Sequence, residues 1–171
     1  MFEKAIKNAK EGPAVWRGTP DIKEYERFMY DLTTWQDGLG LTDEVVLMVV
    51  GRFLAGRARE YYMNHVSRNI HDWTMPRLYA RLFEACFPYN YREQLRQELM
   101  HAQQGQRRFE DFASDIVTRR ERFPTIPEDI LCTILWNGTH AYIRARWRGK
   151  GLSPEGSSFS RLVKYGKRFE R

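Results

Sequence analysis

The sequence lacks most of the residue patterns that carry chemistry. Its two cysteines, Cys86 and Cys132, each sit in an apolar helical pattern with no second cysteine or histidine beside them. That excludes a Cys-x-x-Cys redox pair and points to reduced, packed thiols in a reducing compartment, a disulfide between the two being the alternative. His65, His71, His101 and His140 are scattered, without the HxxxH or HExxH spacing that places two imidazoles on one metal. No nucleophile-base pair or carboxylate dyad stands out, so neither a catalytic residue nor a metal or other cofactor is expected. No apolar run approaches the roughly 18 residues needed to span a bilayer, and a beginning with Glu3, Lys4, Lys7 and Lys10 has no signal-peptide core. The expectation is a soluble protein of the cell interior, in the cytoplasm.

Gly51 to Ala58 superficially matches a phosphate-binding GxxxxGK[ST] loop, but Arg57 and Ala58 replace the Lys and the hydroxyl, and Gly51 lies within a helical pattern rather than after a strand. No alternating strand pattern, repeat or low-complexity tract appears beyond the Gly/Ser-rich residues 149–158.

What is present is aromatic and helical. At 171 residues the chain suits one ordinary domain or two small ones, and 14% aromatic content makes small cores feasible because each ring buries a large area. Residues 21–35 carry Ile22, Tyr25, Phe28, Met29, Leu32 and Trp35 at helical spacing. Residues 43–54, opening after Thr42 as N-cap, are apolar all round and read as a buried central helix stopped by Gly56, with a short helix over 58–66. A helix over 73–87 starts at Asp72 or Thr74 as cap, with Pro76 in its first turn, and ends at Pro88. Further on, Tyr91, Leu95 and Leu99 share a face, and Phe109, Phe112, Ala113, Ile116, Val117, Arg120 and Phe123 form a stripe after Gly105. Residues 128–137, with Pro127 in the first turn, are expected to bury Ile130, Leu131, Ile134 and Leu135 and to stop at Gly138. A short helix over 140–147 and a last one with Phe159, Leu162 and Val163 inward complete an all-α reading.

The order of these elements resembles the capsid domain of retrotransposon Gag proteins, most of all Gypsy-type long-terminal-repeat elements and their domesticated descendants. In that family a helix ends in a Leu-x-Gly-x-Ala turn, matched by Leu54, Gly56 and Ala58; aromatic residues follow, matched by Tyr61; and a Trp-led helix ends in Phe, matched by Trp73 and Phe87. The family's second stretch has counterparts in Leu99, Gln103 and Gly105, then in Phe109, Phe112 and Phe123, while Trp136-Asn137-Gly138 stands where Phe-x-x-Gly-Leu is usual. The usual retroviral Glu of the turn before this helix has no match, Arg107 and Arg108 standing nearby. The resemblance implies two small helical lobes, residues 14–89 and 90–171, joined by a short linker and preceded by an extension over 1–13. It implies a non-enzymatic shell protein that associates with itself into hexamers and pentamers and packages RNA. A host protein descended from Gag, with a lobe groove for partner peptides or an RNA-carrying role, is the other reading the resemblance permits. Neither the zinc knuckle that often follows such a capsid nor an Asp-Thr/Ser-Gly protease signature occurs in this sequence.

Charge is concentrated at one end. Residues 141–171 hold nine Lys/Arg against two Glu, net +7, so the preceding residues sum to −1 within a total of +6. Arg144, Arg146, Arg148, Lys150, Arg161, Lys164, Lys167 and Arg168 are therefore the candidates for neutralising RNA phosphates without regard to base sequence, the plainer reading being a solvated basic helix end. Trp147 among them is read as core rather than as a base-stacking residue.

Overall fold

Ten α-helices make up most of the computed structural model, which describes residues 1–171, and the one strand-like contact is an isolated parallel bridge between Trp16 and Leu54. The chain divides into two compact units, Met1–Tyr89 and Asn90–Arg171.

The first unit contains α1 (Phe2–Lys7), α2 (Ile22–Leu39), α3 (Asp43–Val49), α4 (Gly56–Tyr61) and α5 (Met75–Cys86). Residues 1–13, expected as an extension, are part of its packing. Ala5 of α1 is fully buried, Lys4 Nζ donates to the Leu39 carbonyl at 2.8 Å, and the Trp35 indole donates to the Asn8 carbonyl at 3.1 Å. Helix α2 starts where Asp21 accepts from the amides of Lys23 and Glu24, and it runs past the expected end at 35 to Leu39, where Gly40 adopts a left-handed turn. Thr42 caps α3 by accepting from the Val45 amide.

That helix is shorter than the run of apolar residues suggested. It gives way at Val50 to a 3₁₀ turn, and Met48 is 47% exposed, so the segment is not apolar-buried all round. The reason is tertiary: Trp16 donates to the Phe53 carbonyl and accepts from the Ala55 amide, both at 2.9 Å, which requires extended backbone at Leu54. Gly56 does not stop the preceding helix but opens α4, at φ +52, with Arg17 O only 2.7 Å from where a Cβ would lie. The expected helix over 58–66 is α4 continued by a π-helical turn over Tyr62–Val66. Trp73 does not lead α5 but lies just before it in extended backbone, because Thr74 is the cap, accepting from the Arg77 amide.

The second unit contains α6 (Tyr91–Met100), α7 (Phe109–Arg120), α8 (Glu128–Gly138), α9 (Ala141–Gly149) and α10 (Phe159–Phe169). Leu99, Phe109, Phe112, Ile116, Leu135, Ile143, Trp147 and Leu162 form its fully buried centre. Val117, expected inside, is 44% exposed, since the buried stripe of α7 is Phe109, Phe112, Ala113 and Ile116 and the next position turns outward. Ile130 is likewise 38% exposed; α8 buries Leu131, Cys132, Ile134, Leu135 and Trp136 instead. Pro127 is the residue before α8 rather than in its first turn. Two carboxylates from distant sequence cap helices here, Glu170 accepting from the Phe109 amide at 2.6 Å and Glu128 from the Phe159 amide at 3.1 Å, each placing negative charge at the positive end of a helix. No helix is long and apolar enough to cross a membrane.

Candidate nucleic-acid interface

The turn before α7 organises the unit on which the basic residues lie. Gln104, almost fully buried, donates through its backbone amide to the Gly138 carbonyl at 2.9 Å. Its side-chain amide donates to the Arg107 carbonyl, and its side-chain oxygen accepts from the His140 amide, both at 3.0 Å. All the amide's principal groups are thus used, which stitches the turn to the junction of α8 and α9. Gln103, the residue that the family resemblance singled out, is exposed, its carbonyl accepting from Arg107 at 2.7 Å. Gly138 is buried against this turn; a Cβ there would collide with the Ala102 carbonyl and the Phe112 ring. Arg107 also meets Asp115 at 2.9 Å, and Asp115 in turn meets Arg119, which reaches Glu98 at 3.1 Å. Burial pushes the Asp115 carboxyl upward, but hydrogen bonds and charge from Arg107 and Arg119 outweigh it and hold it below its ordinary value.

The other residues singled out from the sequence have structural places. Leu54, Ala58, Trp73, Phe87, Leu99, Phe109 and Phe112 are buried, Tyr61 and Phe123 half-buried, and Gly105 takes a left-handed turn at φ +59. Cys86 and Cys132 are free and buried, and burial raises both thiol pKa values. No group of three or more His, Cys, Asp or Glu side chains is arranged to hold a metal ion.

The eight basic candidates do not form one patch. Lys150, Arg161, Lys164 and Arg168 converge on a single ring, their charged ends 5.4, 5.7, 5.8 and 5.4 Å from the centre of Tyr165. Arg146 lies 4.7 Å from the Phe169 ring, which is 5.9 Å from Tyr165, and so extends this group. Arg148 sits over Trp136 at 5.8 Å. Lys167 pairs with Glu110 at 3.4 Å, and Arg144 is half-buried and donates to the Asn137 carbonyl. Trp147 is fully buried, its indole donating to the Leu162 carbonyl at 3.0 Å and its ring stacked on Trp136, so it is core. Sequence reasoning missed Tyr165, whose position four residues after Arg161 and one after Lys164 was the available signal. It also missed Arg171, which lies 4.6 Å over Tyr142 and donates its amide to that hydroxyl.

No family model matches the chain, and no curated protein is similar to it. Among solved structures it is similar to the dARC1 capsid domain, determined as a dimer, with 19% identity over 91% of this chain and 93% of that one and a TM-score of 0.40.

Proposed function

We propose that the chain is a Gag-type capsid protein whose copies associate into closed shells of hexamers and pentamers around RNA inside cells, a structural rather than a catalytic role. The observation that carries this reading is the ordered series from Leu54 to Gly138, whose turns and buried rings run through two helical units, each with its own core. Small units of this kind present rigid, separately folded surfaces, and repeated modest contacts between such surfaces are what a shell of many identical copies requires. The basic residues of 141–171, net +7, supply charge for a polyanion.

The test is negative-stain microscopy of the purified protein with single-stranded RNA at raised salt, followed by nuclease treatment. Shells holding protected RNA are expected. Dispersed particles with fully digested RNA at every salt concentration would overturn the proposal.

A further inference from the structure

We infer that Lys150, Arg161, Lys164 and Arg168, set around Tyr165, form a discrete phosphate-binding centre that contacts the backbone of single-stranded RNA and leaves its bases unread. This deepens the packaging reading and rests on it.

Three of the cations, Arg161, Lys164 and Arg168, follow one stripe of α10, which helical spacing alone would produce. Lys150 does not belong to that stripe. It arrives from the C-terminal end of α9, so tertiary structure brings a fourth like charge onto a ring already surrounded by three. All four side chains are exposed, and none of them is ion-paired with a carboxylate. The contrast with Lys167 is local: one helical position away from this stripe, it has Glu110 beside it.

No two of the four charges can lie farther apart than twice their distance from the ring centre, about the Debye length of roughly 10 Å at 0.1 M salt. Their mutual repulsion is therefore only partly screened, and an anion carrying several closely spaced charges relieves it. Adjacent phosphates along a nucleic-acid strand have that character, whereas a single protein carboxylate has not. Tyr165 supplies a surface on which the four cations rest through ring electrostatics. Because its surroundings are occupied by those cations, the ring is not offered to a base, unlike the aromatic platforms on which single strands stack.

The experiment measures fluorescence anisotropy of labelled 20-nucleotide RNAs, oligo-U and a mixed sequence, against the full chain over a range of KCl concentrations. For K150Q/R161Q/K164Q/R168Q the slope of log affinity against log salt is expected to flatten by roughly 3, about 0.7 for each phosphate contact removed. The control R144Q/K167Q, drawn from the same basic segment but outside the ring of cations, is expected to change the slope by less than about 1. Oligo-U and the mixed sequence are expected to bind alike, and Tyr165→Leu to weaken binding about three- to tenfold at unchanged slope while Tyr165→Phe keeps it. Circular dichroism melting checks that every variant is folded.

Equal losses in the two multiple variants, or an unchanged slope in the first, would overturn the centre while leaving general RNA binding intact. A strong base preference would overturn the phosphate-only contact. Tripolyphosphate binding more tightly than RNA at matched ionic strength would show a free oligophosphate to be the occupant and overturn RNA in that place. Absence of RNA binding by the parent chain would instead remove the packaging reading itself.

Discussion

The two units reach stability by different means. In Met1–Tyr89 the binding element is a cluster of rings: Trp16 meets Tyr25 at 5.3 Å and Phe28 at 5.7 Å, and Tyr25 meets Phe83 and Phe87 at 5.5 and 5.6 Å. A few polar links fix its helices, the best placed being Asp43, which accepts from Gln36 at 2.8 Å and from the Met75 amide at 3.1 Å and so joins three helices. In Asn90–Arg171 the apolar centre is stitched by polar groups drawn from far along the chain: Gln104, Arg107 with Asp115, and the capping carboxylates Glu128 and Glu170. The difference bears on function. In the second unit Arg107, Arg119 and Lys167 have carboxylate partners, whereas the four cations around Tyr165 have none.

Damage to one core at a time distinguishes two separately stabilised units from one. Phe112→Ala in the second unit and Trp16→Ala in the first are each expected to cost about 3 to 5 kcal/mol. Hydrogen exchange is expected to show protection lost in the unit that carries the substitution and largely kept in the other. Uniform loss across both units from either variant would mean that they do not act as separate folding bodies.

Smaller effects separate the devices within the second unit. Gly138→Ala forces a methyl group into the Ala102 carbonyl and the Phe112 ring and is expected to destabilise by about 1 to 3 kcal/mol in urea titrations. Gln104→Ala removes the almost fully buried side chain that accepts from the part-buried amide of His140 and is expected to cost about 1 to 3 kcal/mol, against less than about 0.5 for the exposed neighbour in Gln103→Ala. Equal costs for the two glutamines would contradict the stitching role given to Gln104.

The weakest device is the half-exposed network around Asp115. Asp115→Asn is expected to cost about 1 kcal/mol or less near neutral pH, because exposed partners are screened. A carboxyl held below its ordinary value stabilises the fold above that value, about 3.9 for Asp, and loses the contribution as pH falls through the folded-state value. The gap between parent and variant is therefore expected to close as urea titrations move below about pH 4. A gap that stays constant down to pH 2 would show that the ionised form of Asp115 contributes nothing.

Much of the fold was legible because helices advertise themselves locally. The stripe of Phe109, Phe112, Ala113 and Ile116, the cap at Thr42, and the choice of Thr74 or Asp72 all rest on spacing within one turn. What escaped depends on residues far apart in sequence. Extended backbone at Leu54 is imposed by Trp16, thirty-eight positions earlier, and Gly56 serves a close approach to Arg17 instead of a helix stop. Residues 1–13 carry too short an apolar pattern to declare that Ala5 is buried. Charge counting found the basic segment but not its division, since only the tertiary structure sends Lys150 to Tyr165 and Lys167 to Glu110.

Repeated contacts between copies of this chain, as proposed above, are read out by sedimentation velocity. With protein concentration and salt raised together, the account predicts growth from small species to assemblies far larger than a dimer, because salt screens repulsion among the basic C-terminal segments. A single monomer boundary at every concentration and salt would contradict it.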